Sequence, residues 1–158
     1  MNTDCLKFRV LDKVAKRYIQ SEEWCINCFG VLHFQSEFLG DDIPRNEDDY
    51  IIERCTGLKD MDGKLIYQGD VLEYTFGIGK NSSKTQWFVA WVERYTSFRM
   101  VDVAGFNYLK TKNPGWSFKQ YLEFNVYGFD THSIVCRGYE VIGNIHEAKW
   151  GIESEVKE

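Results

Sequence analysis

The chain has 158 residues, of which 44% are hydrophobic and 16% aromatic, and its formal net charge of −5 comes from 24 acids against 19 bases. That length fits one domain, or one domain with a small satellite, and the aromatic content with only 2 prolines fits a folded β-rich chain rather than a disordered one. The acidic balance argues against wrapping duplex nucleic acid, and no apolar run approaches the ~18–20 residues that span a bilayer. Met1-Asn2-Thr3-Asp4-Cys5 carries no signal-peptide pattern, so the expected location is intracellular.

Leu6, Phe8 and Val10 alternate with Lys7, Arg9 and Leu11, the period-two pattern of a half-exposed strand. Asp12–Arg17 is a polar connection with room for a short helical turn, and Tyr18-Ile19 starts a return strand. Between Trp24 and Leu39 dense apolar residues flank Gly30, which favours two short strands over a helix. Cys25-Ile26-Asn27-Cys28 with nearby His33 is one half of a zinc pattern, but a structural site needs a second pair. The five cysteines therefore read as free thiols, and no metal or other cofactor is expected.

The stretch from Gly40 to Asp49 is acidic and turn-rich and lacks the oxygen register of a calcium loop. It divides the chain into a β-rich N-terminal segment, 1–45, a domain over 46–150, and a charged tail, 151–158, expected to fray. Inside the domain, Asp62-Gly63 predicts a two-residue hairpin of type I′, which needs positive φ at both positions. Gly69 predicts a second positive φ, with the Asp70 side chain capping the bend before the strand Val71–Tyr74.

Gly77–Lys84 is rich in glycine, serine and lysine, but a strand, Gln86–Val92, follows it. A phosphate-cradling loop must instead open a helix, so this loop reads as a hairpin connection. Phe98–Val103 predicts a further strand. From Ala104 to Thr131, Phe106, Tyr108, Trp116, Phe118, Tyr121, Phe124, Tyr127 and Phe129 are interleaved with Lys110, Lys112 and Lys119. Core or subunit interface is the first reading of that density, and base stacking the second. Ser117–Phe124 has a helical spacing, with Phe118, Tyr121 and Leu122 on one face. Tyr139–Ile145 closes the domain as a strand in which Gly143 predicts a bulge.

Several of these blocks together resemble the YopX-like family of phage and prophage proteins. They are Phe8-Arg9-Val10 with Asp12-Lys13, then Thr56-Gly57-Leu58-Lys59-Asp60, Asp62-Gly63-Lys64, Ile66-Tyr67 and Gly69-Asp70-Val71, and finally Glu140–Glu147. Residues 18–50 and 104–133 carry none of the resemblance. Gln68 stands where the family usually has glutamate, which argues against an essential carboxylate there. The resemblance implies a phage-borne, largely β protein with a small SH3-like barrel and no established activity. Strands near 64–67, 70–76, 86–92, 97–103 and 139–146 would suffice for such a barrel, with the last closing against the first ones.

Function is expected to be non-enzymatic: an interaction module that self-associates as a homo-oligomer, with a phage or host protein as a further partner and no membrane. The alternative is a nucleic-acid-binding module using Lys80, Lys84, Lys110, Lys112, Trp116 and Lys119. An enzyme is the third class. Asp60, Asp62 and Asp70 are explained by turn geometry, and His33, His132 and His146 fall in no metal or triad spacing.

Overall fold

Alternating side chains become antiparallel ladders along most of the chain. The computed structural model describes residues 7–20, 24–26, 32–34, 47–77, 82–124, 126–128 and 138–150. The described residues of Lys7–Arg54 form one compact unit and those from Cys55 onward a second. The division falls within one strand, nine residues beyond the boundary expected from composition.

In the first unit, β1 (Phe8–Asp12) and β2 (Arg17–Ile19) form a hairpin in which Val10 faces Ile19. Asp12 Oδ1 accepts the backbone N–H groups of Val14 at 2.9 Å and Ala15 at 2.7 Å, and Lys16 adopts a φ of 52°. The connection is thus an aspartate-held turn in place of the short helical turn. The Asp12 carboxylate takes N–H groups that would otherwise start a helix. As expected, two short strands, β3 (Trp24–Ile26) and β4 (Leu32–Phe34), pair within the Trp24–Leu39 stretch. A 3₁₀ turn at Glu47–Asp49 leads into β5 (Tyr50–Lys59), whose first half pairs with β1. Glu53 is buried in that ladder. Its carboxylate receives Arg9 Nε at 2.5 Å and the Tyr18 hydroxyl at 2.9 Å, while the Arg9 guanidinium lies 4.5 Å over the Tyr18 ring.

The second unit is built on a five-stranded antiparallel sheet. Its members are β7 (Asp70–Phe76), β8 (Ser83–Val92), β9 (Ser97–Asp102), β10 (Val126–Gly128) and β11 (Glu140–Asn144), in the order β10-β9-β8-β7-β11. The mainly β expectation therefore holds. Of the five strands expected from the sequence, four are consecutive in this sheet. The strand near 64–67, β6 (Leu65–Tyr67), pairs instead with the second half of β5, and β10 takes the far edge.

Alternation splits the sheet into two apolar faces. One face presents Val71, Phe88, Ala90, Val92 and Val101, and helices α1 (Val103–Lys112) and α2 (Phe118–Phe124) cover it with Val103, Phe106, Tyr121 and Leu122. The other presents Leu72, Val89 and Met100 to Ile66 of β6, with Tyr139 and Val141. Helix α1 begins where a strand end was expected. The Asp102 carboxylate caps it by accepting the N–H groups of Ala104 and Gly105, so Val103 turns into the helix. Helix α2 coincides with the spacing seen at Ser117–Phe124.

The signature turns have their own geometry. Gly63 has a φ of 81°, but Asp62 does not join it at positive φ, so the expected type I′ pair does not form. The loop is instead closed by Gly63 N–H to Asp60 O at 3.1 Å and Asp60 N–H to Lys64 O at 2.9 Å. A glycine after a tighter turn gives a longer hairpin that the Asp60 side chain organises. Gly69 does take positive φ, at 84°, and Asp70 Oδ2 accepts the N–H of Tyr67 at 2.8 Å, as the bend chemistry predicts. The register of β11 on β7 shifts between Val141 and Gly143, which is the predicted bulge.

Candidate interaction surface

The acids clustered in the signature are the natural place to look for chemistry. Asp60 is buried, and its Oδ1 accepts the N–H groups of Asp62 at 3.0 Å and Lys64 at 2.8 Å. Its Oδ2 accepts the N–H of Val141 at 3.1 Å, tying the hairpin to the closing strand. Gly69 N–H reaches Val89 O at 2.7 Å, and Gly69 O accepts Ile145 N–H at 2.8 Å, beside the buried Asp70. These residues hold strands in place. Gly143 belongs to the same structural set: a Cβ there would come within 2.5 Å of Glu147 Oε1, which accepts the N–H of Asn144 at 2.8 Å. Among the described residues no group of three or more His, Cys, Asp or Glu is placed to hold a metal ion. Cys25 is exposed and unbonded on β3, and Cys28 lies outside the described residues.

The basic and aromatic residues proposed from the sequence are dispersed over several elements. Lys80 lies outside the described residues. Lys84, on β8, binds Glu73 Oε1 at 2.5 Å, and Gln86 donates to Glu73 Oε2 at 2.9 Å. Lys119, on α2, pairs with Glu93 at 2.7 Å. Lys110 and Lys112 occupy the last turn of α1, where cations complement the helix dipole, and Lys112 lies 5.7 Å from the ring centre of exposed Tyr108. Trp116 is half-buried against the core, its ring 5.7 Å from that of Tyr121.

The Lys84 hydrogen bond, seconded by that from Gln86, holds the Glu73 carboxyl below the ordinary glutamate range, while partial desolvation opposes them. The same bond raises the Lys84 ammonium. Because the folded value of Glu73 is depressed, its contribution to stability is complete above the unfolded value and is lost as pH falls through the folded one. Lys84→Ala is expected to move the Glu73 titration upward, toward the ordinary range near ~4.3, in a carbon-13 NMR pH series. An unmoved titration would show that the pair is not formed in solution.

A second cationic cluster was not singled out in the sequence. A 3₁₀ turn, Glu93–Tyr95, joins β8 to β9, and Thr96 closes it in the left-handed conformation with a φ of 46°. The guanidinium carbons of Arg94 and Arg99 lie 5.7 and 4.4 Å from the centre of the Tyr95 ring, which is 39% exposed. Arg99 Nε and Ser97 Oγ are both buried without a hydrogen-bond partner. The available signal was the Arg-Tyr-x-Ser-x-Arg spacing, with alternation placing Ser97 and Arg99 on one face of β9.

These features define an antiparallel β protein with helices packed on one face of its main sheet. The chain belongs to the YopX protein family, the match extending over residues 7–149. The same fold is seen in the crystal structure of protein EF1440 from Enterococcus faecalis. That protein is 23% identical, the match covers 93% of this chain and 97% of that one, and the TM-score is 0.57. At that identity the likeness shows the fold alone. No curated protein matches the chain. Among the described residues no helix is long and apolar enough to cross a membrane.

Proposed function

We propose that the protein is a non-enzymatic interaction module that self-associates and serves a phage or prophage in the host cytoplasm. The observation that supports this reading best is the use made of the buried acids. Asp60 is occupied by three backbone N–H groups, Asp70 by the N–H of Tyr67, and Glu53 by Arg9 and the Tyr18 hydroxyl. Carboxylates committed in this way set strand positions and are poorly disposed to exchange protons with a substrate.

Self-association is favoured by apolar side chains left at the surface of the second unit, Met61, Phe76 and Tyr108. The aromatic density of 104–131 supports it less than its composition suggests, because Phe106 and Tyr121 are buried and Phe118 is packed against them. Phage association rests on the family resemblance. Size-exclusion chromatography with light scattering is expected to give a multiple of the chain mass at micromolar concentration. A monomer there would overturn the self-association.

A further inference from the structure

We propose that Arg94, Tyr95 and Arg99 form a binding site for the phosphate backbone of a single-stranded nucleic acid. Among the described residues, neither guanidinium has a carboxylate partner, and both lie against one ring. In a chain of net charge −5, two arginines held together without an acid between them are a local reversal of the overall field. The acid of the same turn, Glu93, faces Lys119 at 2.7 Å and neither arginine.

The donors are also placed with a direction. Ser97 and Arg99 lie on the same sheet face as their register partners Val92 and Ala90 of β8, at the end of that face next to the 93–96 turn, and Gly128 of β10 stands in register with Arg99. Ser97 Oγ and Arg99 Nε are covered, so the guanidinium ends of exposed Arg94 and half-buried Arg99 are the donors a ligand meets. Two neighbouring arginine forks suit a phosphate, to which guanidinium binds in a paired geometry.

The Tyr95 ring decides for a strand over an acidic protein segment. The part-exposed ring and the guanidinium groups lying over it form one stacked group, and an unstacked base can extend that stack, which a run of carboxylates cannot. A single strand presents such bases, and a duplex does not. This inference is independent of the self-association above, since strand binding and oligomer mass are read by separate measurements.

Fluorescence anisotropy of a labelled oligothymidylate, titrated with the full chain at low salt, tests it. Saturable binding is expected, with a plot of log affinity against log salt falling with a slope of about 0.7 per phosphate engaged. Arg94→Ala, at an exposed position where the fold does not depend on it, is expected to weaken binding about tenfold. Arg99→Lys keeps the charge but loses the fork and is expected to weaken it by a similar factor, whereas Lys13→Ala in the β1–β2 turn leaves it unchanged. Absence of salt-sensitive binding overturns the proposal, as does binding unaffected by both arginine substitutions. Equal binding of polyglutamate, or binding of inorganic phosphate without the oligonucleotide, also overturns it.

Discussion

Asp60→Ala is expected to lower the free energy of unfolding by about 3 kcal/mol, measured as a reduced midpoint in urea with little change in slope. The estimate follows from what the carboxylate touches. Its two oxygens satisfy the N–H groups of Asp62, Lys64 and Val141, and the side chain is buried, so water cannot fully replace it. Bonds to an ionised acceptor are each stronger than neutral ones, but the turn N–H groups regain water once the loop opens. Asp60→Asn retains one acceptor oxygen and turns a donor toward the remaining N–H groups, so its loss should be smaller than that of alanine yet clearly measurable. A neutral outcome for both would show that the hairpin and the closing strand are joined mainly by their backbone contact, Met61 N–H to Tyr139 O at 2.9 Å.

Phe106→Ala is expected to have the larger effect, about 4 kcal/mol. The ring is 2% exposed and sits at the centre of an aromatic group: Phe88 at 5.3 Å, Phe118 at 5.6 Å and Tyr121 at 5.2 Å between centroids. Two of those contacts are edge-to-face, which adds to the area effect. Removing it opens a cavity between α1, α2 and β8, lined by Phe88 of the sheet and by Phe118 and Tyr121 of α2. Tyr108→Ala, two residues on along the same helix and 62% exposed, should stay within about 0.5 kcal/mol of the parent. Urea unfolding of the pair separates the packing term from any change in helix propensity.

What the sequence revealed follows from how local each signal is. Gly69, Asp70 and Gly143 carry their meaning within a few residues: a positive φ, a capped bend and a bulge follow from glycine and aspartate chemistry alone. Asp62-Gly63 misled because the dipeptide does not report the Asp60 carboxylate two residues earlier, which selects the longer turn. Helix α1 was hidden because Gly105 and Asn107 lie in its first turns and its apolar stripe is only Val103, Phe106 and Leu109. The cap at Asp102 was the usable sign. The lysines chosen as a binding surface are spread by topology over β8, α1 and α2, and two of them meet acids that are distant in sequence. No count of basic residues separates those from Arg94 and Arg99, since pairing is a property of the fold.

The bond from Val141 N–H to Asp60 spans 81 residues, and this governs how the protein can be made. While the chain is being synthesised, β7 can join β8 as soon as both have emerged, but its other neighbour, β11, is nearly the last strand to appear. At ~5–20 residues per second that outer edge stays open for some seconds, a row of unpaired backbone groups able to template pairing with another nascent chain. Glu73 of this strand is paired with Lys84 once β8 has joined, so its charge gives the waiting edge little protection and closure by β11 is what removes the template.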